Sequence, residues 1–152
     1  MQKSILAALV VALFSGLAVG VQSSFINVAG KNTGAILTGL LVNIFAGIAA
    51  GLLVVIVYVQ QGNSALSRLQ AQTWGVMLVA GLLGIGVIAG IAYSLPKTGV
   101  AAGLSMIITG QMIVGVLVDM FGLTGGEPIP LTWMRIGGLG LLALGTWAIV
   151  PK

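Results

Sequence analysis

Neither cysteine nor histidine occurs in the 152 residues, and only two acids do, Asp119 and Glu127. The first absence excludes disulfides, thiolate and imidazole metal ligands, and both Cys–His and Ser–His–Asp catalysis. The second, set against six basic residues, leaves 5% of the chain charged. A soluble domain carries about 25%, because its surface must be hydrated. Hydrophobic residues make up 59% and the mean hydropathy is +1.20. Such a chain cannot cover itself for water, so its length is better counted in membrane spans of about 20 residues. Six basic residues are too few for a nucleic-acid footprint, and no nucleic-acid partner is expected. No enzyme is expected either, since loops this short cannot build a water-accessible pocket.

What is present is a run of apolar stretches, at about 4–29, 35–59, 74–95, 98–120 and 131–150. They are too long and too uniformly apolar for barrel strands, and open strands cannot span lipid. The expected fold is an all-α integral membrane protein, one domain over 1–152 with five transmembrane helices. The first stretch, behind Lys3, reads as a retained helix rather than a cleaved signal. Composition predicts turns at 30–34 and 125–130, and Pro96-Lys97 predicts a helix break. Residues 60–72 form the longest polar stretch, while Trp74 and Tyr93 bracket the third span as headgroup-layer residues do. Arg135 lies near enough to the start of the fifth span to snorkel outward.

Charge placement is the most informative pattern. Five spans put Lys3, Arg68 and Arg135 on one side of the bilayer and Lys31, Lys97 and Lys152 on the other. Orientation normally follows an excess of Lys and Arg on the cytoplasmic side, and here there is none. One reading is a chance tie among few charges. The other is insertion in both orientations, with pairing to an inverted copy, or an inverted paralogue, as an antiparallel dimer.

Three glycine pairs, Gly16 and Gly20, Gly47 and Gly51, and Gly86 and Gly90, stand at the spacing that lets helix backbones approach. They are expected to pack helices rather than to touch a ligand. The chemistry rests with polar side chains inside the spans: Gln22, Ser23, Ser24 and Asn27 in the first, Asn43 in the second, and Ser105, Thr109 and Gln111 in the fourth. Ser23 and Asn27 share one helix stripe. Amides offer donors and acceptors together, so Gln22, Asn27, Asn43 and Gln111 are candidate substrate-binding residues for a neutral or zwitterionic solute. Bonding between helices is the competing use. Asp119, the only acid within a span, is a candidate ion-coupling site or a hydrated boundary residue.

Gln22 followed by Asn27, then Gly110-Gln111, then Asp119-Met120-Phe121-Gly122-Leu123, then Arg135, Gly138 and Leu141 resemble a known pattern. It is that of the YdcZ-type, five-helix, half-size family of the drug/metabolite transporter superfamily, and the resemblance covers nearly the whole chain. It implies a multi-pass protein of the bacterial inner membrane, related to ten-helix exporters built from two inverted five-helix halves. A lone five-helix chain would reach that arrangement by pairing with an oppositely inserted partner. Four-helix members of the superfamily couple protons through an acid in the first helix, which this chain lacks.

The expected function is therefore a half-size secondary transporter subunit, acting by alternating access and exporting a small polar or amphipathic metabolite, with no cofactor. A membrane subunit that supports or regulates a larger complex is the alternative.

Overall fold

A computed structural model of the chain describes residues 2–62, 71–123 and 125–150. Lys3, Arg68 and Lys152, half of the basic tally, have side chains outside what it describes, as does most of the polar stretch after residue 62. Five helices follow one another: α1 Gln2–Thr33, α2 Ala35–Gln61, α3 Ala71–Thr98, α4 Val100–Phe121 and α5 Trp133–Ile149. No strand occurs among the described residues. The first four are long and apolar enough to cross a bilayer, and α5 is a shorter apolar helix of 17 residues. Lipid requires every backbone polar group to be paired within its own segment, which helices achieve.

Two predicted breaks are narrower than expected. The turn expected at 30–34 is a single residue, because α1 continues through Lys31, Asn32 and Thr33 and only Gly34 leaves the helix. The break expected at Pro96-Lys97 lies instead at Gly99, with Pro96 inside the last turn of α3. A proline there forfeits one backbone hydrogen bond and leaves the carbonyl four residues back without its usual partner.

Both corners use one device. Gly34 has φ 79° and ψ 160°, and Gly99 has φ 81° and ψ 156°, a conformation essentially restricted to glycine. Each glycine N–H donates to the carbonyl four residues back, Gly30 or Leu95, at 3.0 Å. Each glycine carbonyl accepts from the N–H four residues on, Thr38 or Gly103, at 3.1 Å. The threonine before each glycine ties its hydroxyl to its own helix, Thr33 to the Ala29 carbonyl and Thr98 to that of Ser94, both at 3.0 Å.

The chain divides into two compact units, Gln22–Tyr93 and the pair of segments Met1–Val21 and Ser94–Lys152. In the first, glycines set the packing. A Cβ at Gly30 would stand 2.7 Å from the Ala92 carbonyl oxygen, and one at Gly39 would stand 2.9 Å from the Ala89 Cβ. Gly30 and Gly39 would be about 13.5 Å apart on a straight helix, yet their partners on α3 are about 4.5 Å apart along its axis. The Gly34 corner therefore folds α2 back beside α1, and both lie on α3. Asn43 reaches the position of Gly84, so α2 advances as α3 recedes and the two run antiparallel.

In the second unit α4 packs along α5. Buried Thr109 and Thr146 share a hydroxyl–hydroxyl bond of 2.9 Å, and Thr146 also reaches the Ser105 carbonyl at 3.3 Å.

The three glycine pairs expected to pack helices do not do so among the described residues. A Cβ added at Gly16, Gly20, Gly47, Gly51, Gly86 or Gly90 would meet nothing within 4 Å. The close approaches fall at Gly30, Gly39 and Gly103 instead, outside any of those pairs.

Candidate functional site

The polar side chains of the spans fall into three groups. In the unit Gln22–Tyr93, one face of α1 turns inward: Ser23 is 1% exposed, Ile26 is 3% exposed, and Gly30 is buried one turn further on. Asn27 stands on the same face, half-buried. The Ser23 Oγ and the Asn27 Oδ1 are both buried and have no hydrogen-bond partner. Unpaired buried polar atoms are rare and costly, at about 1–3 kcal/mol each, so a pair of them one helical turn apart calls for an occupant. On α2, Asn43 is half-buried and its Nδ2 donates to the Gly39 carbonyl at 2.8 Å. That bond fixes the amide's orientation, since only the nitrogen can donate, and leaves the Oδ1 to face α3 at Gly84.

The two glutamines are placed differently. Gln22 is exposed on α1 beside the buried Ser23, and Gln111 is exposed on α4, two residues past the buried Thr109. Of the four candidate binding residues, the fold brings Asn27 and Asn43 into one unit's interior and leaves Gln22 and Gln111 on outer faces.

The third group contains the acid. Asp119, near the C-terminal end of α4, receives the Arg135 Nη2 at 3.3 Å. Arg135 does not simply snorkel outward: its Nη1 is buried without a partner. Each charge stands at the unfavourable end of its own helix, a carboxylate near a C-terminus and a cation in a first turn. The pair lets each offset the other. The Asp119 carbonyl also accepts from Gly122 and from Ile129, at 3.2 and 2.9 Å, which folds the 125–130 loop back against the end of α4. Thr132 then caps α5, accepting the Arg135 N–H at 3.3 Å. With side chains 29% and 45% exposed, the ion pair contributes about 1 kcal/mol or less.

Sequence reasoning passed over Thr38, Thr146 and the Asp119–Arg135 pairing. Thr-Gly stands at both corners, 33–34 and 98–99, but also inside α2 at 38–39 and inside α4 at 109–110, so the dipeptide does not mark them. Nothing in one sequence pairs Thr146 with Thr109. A cavity of about 310 Å³ lies beside the second corner, lined by Ser94, Thr98, Met106, Ile107 and Val150 among others, and its walls are mainly apolar. No cluster of three or more potential metal ligands from His, Cys, Asp and Glu occurs among the described residues.

Residues 7–148 match the family described as "Putative inner membrane exporter, YdcZ". No curated protein and no solved structure matches the chain. The family match enters every one of the five helices, four of them long enough to span a bilayer. The chain belongs to the YdcZ family and is a multi-pass protein of the inner membrane.

Proposed function

We propose that the chain is a half-size exporter subunit that works as an antiparallel dimer with an inverted copy of itself. In this reading α5 crosses the membrane as a fifth span. The two copies rock against one another to open their shared space to either side, and the cargo is a small polar or amphipathic solute. Gln22, Asn27, Asn43 and Gln111 supply the polar groups it meets, and Asp119 is available to couple an ion if Arg135 releases it.

The observation that carries the reading is the exposure of Gln22 and Gln111 in helices built to span a bilayer. An amide left in hydrocarbon is costly, so a partner surface or a polar passage is the arrangement that relieves it. The even division of basic residues and the uncovered glycine faces support a partner of inverted sense.

Lys31 and Lys97 stand at the two corners, which fall on the same face of the bilayer if each helix crosses it in turn. Single Lys31→Cys and Lys97→Cys chains should each react in part with an impermeant maleimide added to intact cells, the outward copies alone, and in full once the cells are permeabilised. Labelling from one face alone would remove the inverted dimer. Gln111→Leu should abolish solute efflux from proteoliposomes while the protein remains folded, and undiminished efflux would remove the glutamine from the pathway.

A further inference from the structure

We infer that Ser23, Asn27 and Asn43 form a receiving site for a hydrogen-bond donor of an uncharged solute, built from side chains of the Gln22–Tyr93 unit of a single copy. The inference rests on the exporter reading for its purpose but not for its geometry. Gly30 sits on Ala92 and Gly39 sits on Ala89, with α1 running alongside α3 and α2 running against it. Stepping back from Gly30 along the inward face of α1 leads through Asn27 and Ile26 to Ser23, two turns or about 10.5 Å away. The same step along α3 leads from Ala92 to Ile85. From Gly39 one turn along α2 leads to Asn43, whose Oδ1 lies 3.5 Å from where a Cβ at Gly84 would stand. By the same register Asn27 stands level with Ala89, so with Ser23 at Ile85 and Asn43 at Gly84 the three side chains line about a turn and a half of α3, at whose end Gly84 has no side chain.

Each of the three side chains offers an acceptor there. Asn43 has spent its donor on the Gly39 carbonyl and presents an acceptor. The Asn27 Oδ1 is an acceptor without a partner, and the Ser23 Oγ can accept as well. What answers such a set is an N–H or O–H. A full cation is disfavoured, because α1, α2 and α3 carry no Asp or Glu to offset its charge, and neutral dipoles in a membrane interior do not replace its lost hydration. The site therefore selects donors that bear no charge, such as primary amides and hydroxyl compounds. A solute and a resident water share that chemistry, and the test separates them.

The chain labelled with nitrogen-15, in detergent micelles, is titrated with acetamide, N,N-dimethylacetamide and methylammonium chloride while the side-chain amide signals of Asn27 and Asn43 are followed. Acetamide should move both signals saturably. N,N-dimethylacetamide, of similar shape but without a donor, and methylammonium should not. Ser23→Ala, which adds no bulk, should raise the acetamide concentration at half-saturation roughly five- to tenfold, as loss of one hydrogen bond would. If that variant loses its native backbone spectrum, the three-probe series on the parent chain decides alone. Equal response to methylammonium overturns the selection of uncharged donors. Signals that show contact with water and no response to acetamide reduce the site to a structural water. Acetamide binding without efflux in proteoliposomes removes the exporter reading and leaves the site. Efflux without any response at Asn27 and Asn43 does the reverse.

Discussion

The two helix corners share a backbone and differ in what they do with it. Gly34 and Gly99 agree within a few degrees in φ and ψ and close the same hydrogen bonds. Around each, the residues eight before, four before and four after are buried: Ile26, Gly30 and Thr38 at the first, Ile91, Leu95 and Gly103 at the second. The fillings are reversed. The first corner has its gap before the turn, at Gly30, and a side chain after it, where Thr38 bonds Thr33 at 2.6 Å and the Gly34 carbonyl at 2.7 Å. The second has Leu95 before and its gap, Gly103, after, and a Cβ at Gly103 would meet Leu95 and Thr98 of the same corner. The first hairpin thus spends its gap on docking another helix, and the second fills its gap from within. What a small residue does depends on which neighbour owns the opposing atoms.

That contrast orders the expected mutational effects. The largest belongs to Gly30→Val, because the obstacle is a backbone carbonyl that no rotamer change can move. Pro96 lacks the N–H that would bond the Ala92 carbonyl, and that oxygen faces Gly30, a geometry suited to a weak Cα–H···O contact. Pushing α1 off α3 should cost on the order of 3 kcal/mol, at the upper end of overpacking effects. Unfolding in a denaturing detergent, followed by circular dichroism, would measure it. A loss under 1 kcal/mol would mean that α1 and α3 can slide past the added methyls.

Next come Gly34→Ala and Gly99→Ala, which should lose about 2 kcal/mol each. Equality matters more here than size. Neither glycine has an atom within 4 Å of its Cβ position, so the loss is conformational alone. A difference above about 1 kcal/mol between them would break the equivalence of the corners.

Gly103→Ala should cost less, about 1 kcal/mol, because the nearest atom is the Cδ1 at the end of the Leu95 side chain, which can turn away. The double variant Gly103→Ala with Leu95→Ala should recover none of the stability if Leu95 is the filler. Full recovery would show that it was merely in the way.

Much of this was legible in the chain and some was not, for reasons that follow from the physics. Lipid leaves the backbone one choice, so the helical class and the four long apolar helices could be read from apolar runs alone. The corners were misplaced because Lys31, Asn32 and Thr33 look like a turn, yet side-chain propensities are a weak prior beside a helix continued to its glycine. The grouping of Ser23 with Asn27 was visible as an i, i+4 stripe, and Ser23 proved the most buried polar residue described. Arg135 was legible as a boundary charge but its tie to Asp119 was not, since that depends on how the 125–130 loop returns. Asp119→Asn removes the charge and keeps the shape, and should cost about 1 kcal/mol or less. A larger loss would show the pair to be drier in the membrane than in the chain alone.

The smallest expected effect is also the one that reaches furthest. Gly47 and Gly51 on α2, like Gly86 and Gly90 on α3, look like packing pairs and have open space where a Cβ would stand. For an isolated chain Gly47→Ala with Gly51→Ala should be neutral or stabilising, since alanine favours a helix over glycine by up to about 1 kcal/mol per position. At Gly30 the same chemical change meets a wall. The difference between the two outcomes belongs to the neighbours, so any neighbour not contained in one chain would reveal itself as a stability loss at the open pairs. Measured across protein-to-detergent ratios, a loss that appears only in crowded micelles would mark α2 as a surface for a second copy. Stability unchanged at every ratio would leave the glycines facing lipid and move the partner surface elsewhere, toward the exposed amides of Gln22 and Gln111.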